Sequence, residues 1–356
     1  MRIALDATPL TVPTGGVHRY TSELSLALAR EYPDDEFWLL SDAPFSCPDS
    51  GLPNLRCGHG PRNVLERRWW LWGLQGEISR LHIDLFHGTD FSVPYLRVRP
   101  AVLTLHDLSP WMDPTWHADD RVRRRTPLLL RLGLATMVVT PTEAVRRHAM
   151  DHFHLAPARV VAIPLAASAF FRPTPVSESG TPYFLYVGTL EPRKNIAMMF
   201  DAWREIRREH AVDLVIAGRR RDDFPEIPPE PGLRLLGAIP DSDLPALYSG
   251  ALASLYPSEY EGFGLPVLEA MQCGAAVFTS LDPAIAEVAG DAAARLDTRD
   301  PSAWVAALRS SIARPDWIAE LRQAGLRRAA QFSWARTAGL TREVYAEAAR
   351  RFRAKT

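Results

Sequence analysis

Short apolar runs alternate with longer amphipathic stretches along nearly the whole chain. Arg2–Leu5, Phe37–Leu40, Leu85–His87, Ala101–Leu105, Met137–Thr140 and Val160–Pro164 are brief and mostly apolar. Runs of that kind are strands buried on both faces. Between them, Tyr20–Glu31, Arg67–Arg80, Asp119–Ala135 and Glu143–His152 repeat apolar residues at helical spacing. Strands alternating with helices predict a parallel sheet covered on both sides. The segment from Phe171 to Pro182 is rich in Pro, Ser and Gly and reads as a linker. A second alternating set follows. Its strands are Tyr183–Val187, Asp213–Ala217, Arg234–Leu236, Ala253–Tyr256 and Ala275–Phe278; its helices are Asn195–Glu209, Asp241–Ser249, Pro266–Cys273 and Pro301–Ala313. The pattern therefore predicts two Rossmann-like α/β domains, over residues 1–172 and 173–334. Open parallel sheets bind ligands at their strand C-termini. The last helices, Trp317–Gln331 and Ala335–Arg353, need partners for their apolar faces.

Composition changes this picture little. At 356 residues, two domains are the natural expectation. Apolar residues make up 47% and charged residues 23%, as in ordinary globular proteins. A net charge of −1 offers no argument for a nucleic-acid partner. Cys47, Cys57 and Cys273 are too few and too scattered for a disulfide framework or a zinc site, which fits a reducing cytoplasm. The N-terminal run is too short for a signal peptide. No stretch reaches the roughly 18 apolar residues of a membrane span.

The chemistry concentrates between Pro257 and Ala275. After the apolar run ending at Tyr256 comes a loop, Ser258-Glu-Tyr-Glu-Gly-Phe-Gly264, and then a predicted helix with Pro266 in its first turn and Gly274 just past its end. Glu261 and Glu269 stand eight positions apart, one in the loop and one in the early helix. Taken alone, Glu261 is a loop acid, and Glu269 an acid that favours a helix dipole. Together with the glycines they flank a helix N-terminus, a place suited to a phosphate with hydroxylated rings beside it. In the loop after the strand ending at Val187, Gly188-Thr-Leu-Glu-Pro-Arg-Lys-Asn195 carries two adjacent cations, Arg193 and Lys194, with Asn195 as a prospective helix cap. His106 and Asp107 follow the strand from Ala101. Gly15 and Gly16 precede the first helix.

These segments resemble those of the family-4 retaining glycosyltransferases, which have the GT-B fold. Tyr260-Glu-Gly-Phe-Gly-Leu-Pro-Val-Leu-Glu-Ala-Met271 is similar to the family's E-x7-E segment. Gly188–Asn195 resembles its donor-phosphate loop, His106-Asp107-Leu108 its N-domain histidine segment, and Glu287–Asp291 a further C-domain segment. The resemblance implies that Gly188, Arg193 and Lys194 meet the donor diphosphate. It places the backbone of Gly262, Phe263, Gly264 and Leu265 against the distal phosphate and the sugar. Glu261 then lies beside the donor sugar, Glu269 on the ribose hydroxyls and His106 near the reacting carbon. Gly15 and Gly16 let the N-domain backbone approach the phosphate. No metal ion or other cofactor is implied, because side-chain cations take that role. The partners implied are a nucleotide-sugar donor and an oligosaccharide or lipid-linked glycan acceptor in cell-surface polysaccharide synthesis. Arg19-Tyr20 and the donor loop look most like bacterial mannosyltransferases using GDP-mannose, with a UDP-sugar next. His18 departs from the glycine more usual there, and Ile163–Ser168 lacks a glycine many relatives carry. The final helix, 335–356, is expected to pack back on the first domain. Arg67–Trp72 and Arg121–Arg125 mix cations with aromatic or apolar neighbours, either as solvated helix faces or as a peripheral contact with the inner face of the plasma membrane. A non-catalytic sugar-nucleotide binder or a GT-B epimerase stays open as an alternative.

Overall fold

A computed structural model describes residues 1–48, 51–113, 116, 120–175 and 180–354. Residues 176–179 of the expected linker, Asp119 of the expected helix and the last two residues lie outside that set. The chain divides into two compact units, Met1–Leu165 with Ser333–Thr356, and Ala166–Phe332.

In chain order the first unit contains β1 (Arg2–Asp6), α1 (Gly16–Glu31), β2 (Glu36–Leu40), β3 (Leu55–Cys57), α2 (Leu74–Arg80), β4 (Leu85–Gly88), β5 (Ala101–Thr104), α3 (Ser109–Met112), α4 (Arg121–Arg131), β6 (Met137–Thr140), α5 (Glu143–Phe153) and β7 (Val160–Ala162). Its sheet is parallel, in the order β3-β2-β1-β4-β5-β6-β7. The order reverses at β1 and β4, where doubly wound sheets open a ligand crevice. The expected helix over Arg67–Arg80 begins instead with a π turn at Trp69–Gly73. Gly73 is obligatory there, because a Cβ would meet the Glu66 carbonyl oxygen at 2.2 Å. α4 stops at Arg131, short of the expected Ala135, and Gly133 takes a left-handed φ of 65° just beyond it. β3 was not legible in the pattern. Its edge position leaves Arg56 exposed, and only Leu55 of its three residues is buried. Cys57 at its end forms a disulfide with Cys47, ten positions earlier, which the scattered cysteines did not predict.

The second unit contains β8 (Tyr183–Val187), α6 (Ile196–Arg207), β9 (Asp213–Ala217), β10 (Leu233–Gly237), α7 (Leu244–Gly250), β11 (Ala253–Tyr256), α8 (Leu265–Gln272), β12 (Val277–Thr279), α9 (Pro283–Ala289), β13 (Ala294–Arg295), α10 (Pro301–Ala313) and α11 (Pro315–Ala329). Its parallel sheet runs β10-β9-β8-β11-β12-β13. Residues 166–172, expected in the first domain, fall in this unit. The reason is local: Gln272 Nε2 donates to the carbonyls of Ser168 (2.9 Å) and Phe171 (2.8 Å), and the Phe171 ring packs on Tyr248.

The final helix, α12 (Trp334–Arg353), packs on α1 and β5 of the first unit. A buried hydrogen-bonded chain fixes it. Tyr345 Oη lies 2.7 Å from His87 Nδ1, His87 Nε2 lies 2.8 Å from Thr104 Oγ1, and Thr104 Oγ1 lies 2.9 Å from Tyr20 Oη. Burial, reinforced by His106, pushes the His87 imidazole down to about 3, so it is neutral and relays one donor and one acceptor. Arg342 adds an ion pair to Asp35 at 2.5 Å, and Thr337 donates to the Pro164 carbonyl at 2.7 Å.

Candidate active site

The second unit gathers charge at the C-terminal ends of β8 and β11. β8 hands the chain to Gly188, whose φ of 152° is a glycine conformation. β9 ends so close by that a Cβ on Gly218 would meet the Gly188 carbonyl oxygen at 2.0 Å. The loop then tightens into a 3₁₀ turn, Pro192–Lys194, that aims Arg193 and Lys194 at the loop after β11. Glu259 N donates to the Arg193 carbonyl at 2.8 Å, locking the two loops together.

Glu261 is the centre of this cluster. It is 7% exposed, and its Oε1 accepts from Lys194 Nζ and from Ser258 Oγ (2.5 Å), with Arg193 Nη1 at 3.2 Å. Burial pushes the Glu261 carboxyl up, but Arg193, Lys194 and the hydrogen bonds outweigh it and bring it down to about 2. Burial and the neighbouring Arg193 draw the Lys194 ammonium down, while Glu261 and Glu191 pull it back. Lys194 Nζ also donates to Tyr256 Oη at 3.0 Å and sits over that ring. Arg193 reaches Glu191 Oε1 at 2.9 Å and the Tyr260 carbonyl at 2.7 Å; Glu191 in turn faces Arg221 at 3.6 Å. Three cations, Lys194, Arg193 and Arg221, thus alternate with three carboxylates, Glu261, Glu191 and Asp223, and the charges balance. The expected pair of cations is an interlocked ion-pair network.

The helix beyond is built as its residues demand. Gly264 takes φ 88° at the N-cap of α8, and Pro266 occupies the first turn. At the other end Gly274 N donates to the Met271 carbonyl and Ala275 N to that of Ala270, the paired bonds of a Schellman cap. Phe263 is buried, its ring edge-on to Phe332 at 6.0 Å, so from this residue only the backbone is offered to the loop. Glu269 lies in the middle of α8, 1% exposed, and accepts from Tyr248 Oη at 3.3 Å. Asn195 does not cap α6 with its side chain, contrary to expectation. It occupies the N-cap position with a left-handed φ of 52°, which asparagine tolerates.

The first unit holds the remaining candidates. Gly15 is the N-cap of α1 with φ 123°, and Gly16 opens the helix. His106 follows β5. Its Nε2 donates to the Thr89 carbonyl at 2.7 Å, since that oxygen can only accept. Tyr20 packs edge-on against it at 4.9 Å. Asp107 is occupied locally: its Oδ1 accepts from Ser109 N (2.9 Å) and Ser109 Oγ (2.7 Å).

Several contributors were not legible. Ser258 and Tyr256 bind Glu261 and Lys194, and nothing in their spacing marks them. Asp282 caps α9 through the N–H groups of Ala284 and Ile285; burial, with the Glu261 charge adding, pushes it up to about 6. A hollow of about 290 Å³ lies beside the donor loop, lined by Leu190, Ile216, Ile227 and Leu235 with Arg220 and Glu226. The loop after β9, which supplies Gly218, Arg220, Glu226 and Ile227, carries no motif.

Two family models match: "Glycosyltransferase Family 4" over residues 14–168 and "Glycosyl transferases group 1" over residues 168–329. The chain is 33% identical to an O-antigen chain mannosyltransferase B of Escherichia coli, over 94% of this chain and 96% of that protein. It is 29% identical to a D-inositol 3-phosphate glycosyltransferase of Thermobispora bispora, over 82% and 72%. Among solved structures it is similar to the sucrose-phosphate synthase of Thermosynechococcus elongatus, with a TM-score of 0.74 at 18% identity, over 97% and 98%. Anabaena HepE in complex with UDP-glucose gives 0.74 at 16% identity, over 98% and 100%.

Proposed function

This chain belongs to the group 1, family-4 glycosyltransferases, with the paired Rossmann-like domains of the GT-B fold, and on that premise we propose that it transfers mannose from GDP-mannose to a glycan acceptor with retention of configuration. The observation that carries the reading is the network of Arg193, Lys194 and Glu261 beside the N-terminus of α8. The bond from the anomeric carbon to the phosphate oxygen breaks as the acceptor oxygen bonds to that carbon on the same face. The acceptor's proton passes to the departing phosphate. Negative charge grows on the diphosphate during this step, so fixed cations and helix N–H groups stabilise the transition state more than the ground state. Glu261 keeps Arg193 and Lys194 in place. The Glu269 carboxylate takes the ribose hydroxyls, and His106 lies against the transferred sugar. The mannosyl donor rests on the Escherichia coli relative and the donor loop, and a UDP-sugar is the second choice.

No metal takes part in this reading. Turnover is expected to persist in EDTA, and abolition by EDTA with restoration by Mg²⁺ would reassign the phosphate chemistry. The acceptor is proposed to be a growing glycan on a lipid carrier, met at the inner face of the plasma membrane. No helix among the described residues is long and apolar enough to cross a membrane, so that contact would be peripheral. Trp72, Leu128, Arg67, Arg68 and Arg124 are exposed, and Arg125 lies over the Trp70 ring at 5.7 Å, bringing the two basic segments into one neighbourhood. Co-flotation with anionic but not neutral vesicles tests it. The donor is tested by calorimetric titration of GDP- and UDP-sugars, followed by hydrolysis of the bound donor without acceptor. Tight binding with no turnover in either assay would leave a sugar-nucleotide binder.

A further inference from the structure

The turn after β4 is built to present one side chain. The chain doubles back within four residues there, so sharply that a Cβ on Gly88 would stand 1.6 Å from the Ser92 carbonyl oxygen. Phe91 takes a left-handed φ of 53°, which a bulky residue adopts only where its surroundings force it. Those surroundings are fixed on both sides. Thr89 Oγ1 donates to the Asp6 carbonyl at 2.6 Å, and the Thr89 carbonyl accepts from His106. Phe91 N donates to the Thr104 carbonyl at 3.1 Å, and the Phe91 carbonyl accepts from Thr126 Oγ1 at 2.8 Å. The Phe91 ring packs on His106 and Trp111. Thr89 and Phe91 are buried, whereas Asp90 at the apex is partly exposed. Among the described residues no hydrogen bond holds its carboxylate. Burial raises the Asp90 carboxyl, with Asp107 adding, while His106 and Arg125 draw it back.

A turn this constrained, carrying an acid that bonds nothing, is explained by what the acid binds. We propose that Asp90 is an acceptor-recognition residue whose carboxylate takes hydrogen bonds from hydroxyl groups of the glycan that receives the sugar. A carboxylate has four lone-pair sites and suits adjacent sugar hydroxyls; it repels a diphosphate. Of the ligands in the proposed reaction, that leaves the sugars. The transferred sugar is assigned to His106, which donates to the carbonyl of Thr89 next to Asp90, so Asp90 is assigned to the sugar that must meet it, the acceptor. This inference rests on the transferase reading above, and the test separates the two.

Octyl α-mannoside, kept below its micelle-forming concentration, is titrated against the full-length protein by saturation-transfer NMR with no nucleotide present. Asp90→Asn and Asp90→Ser are compared with wild type, and donor hydrolysis and thermal midpoint are measured on the same samples. The expected result is at least a tenfold loss of mannoside affinity and an equal rise in acceptor KM. GDP-mannose hydrolysis should stay within twofold and the midpoint should not fall. Unchanged mannoside affinity in a folded variant overturns the proposal, as does a wild type that binds no mannoside. A drop in donor hydrolysis with acceptor affinity intact assigns Asp90 to the donor sugar and also overturns it. Wild type that binds the mannoside but hydrolyses only a UDP-sugar sinks the donor choice and leaves Asp90 standing.

Discussion

Glu261 is held ionised in a place that would otherwise keep it neutral, and that has measurable consequences. Its ordinary value of 4.5 is brought to about 2 in the folded protein, so the ionised form favours folding. For a depressed carboxylate the contribution is complete above the unfolded value and disappears as pH falls through the folded one. The window is therefore pH 4.5 down to 2. Denaturant titrations across it should show wild type losing about 3 kcal/mol more than Glu261→Gln loses over the same range. Equal slopes would mean that the pairing does not persist in solution. At pH 7 the same variant leaves the buried Lys194 without its carboxylate and should be destabilised by about 3 kcal/mol. Lys194→Ala should instead show its effect in turnover, lowering kcat by about 2–4 kcal/mol of transition-state stabilisation. Single-turnover kinetics would expose the contrary case of an unchanged chemical step. The two glutamates should separate in calorimetry: Glu269→Ala weakens GDP binding by about 1.5–3 kcal/mol, while Glu261→Ala acts mainly on transfer. The pairing itself was not legible in the sequence. Glu261 lies 67 positions from Lys194, and nothing local says that their charges meet.

The elements that the sequence displayed are those with strong periodicity and long burial. Asp213–Ala217 and Met137–Thr140 have the predicted bounds because each is apolar but for one terminal residue and is flanked by a strand on both sides. β13 is two residues long and α9 is seven, too short for a period to emerge; α9 is declared only by Asp282 at its cap and Pro283 behind it. α8 was legible because its ends are chemical: a proline in the first turn and a glycine beyond the last. The left-handed φ of Gly264 could not be read from spacing, and it carries a prediction. A Cβ there would meet Ile285 and Val267 at 3.6 Å, an ordinary contact distance, so the cost of Gly264→Ala is conformational. It should lower stability by about 1–2 kcal/mol and should also weaken nucleoside diphosphate binding, since the N–H groups at that end would turn. Chemical denaturation and a GDP titration on one preparation check both effects. A loss of stability with intact GDP affinity would take this helix end out of the phosphate site.

At the scale of the molecule, α12 belongs to the unit that the chain left at Leu165. Tyr345→Phe removes one member of the buried chain through His87 and Thr104 while keeping the ring. It should cost about 1–3 kcal/mol, because a buried polar group is left without its partner. The loss should appear in the first unit's unfolding and not in the second's, a distinction hydrogen exchange resolves segment by segment. Uniform loss of protection would mean that the two units unfold as one. The same arrangement sets an order on biosynthesis. As the polypeptide leaves the ribosome, the first sheet emerges with the faces of α1 and β5 that α12 will cover still bare. They stay bare while the next 167 residues are translated. The first unit has all its strands by Ala162 but lacks α12 until the second unit has been made, so the domain begun first is the one finished last. During that interval its uncovered apolar surface is a place for a chaperone to bind, and a nascent chain stalled before Ser333 would be left with it.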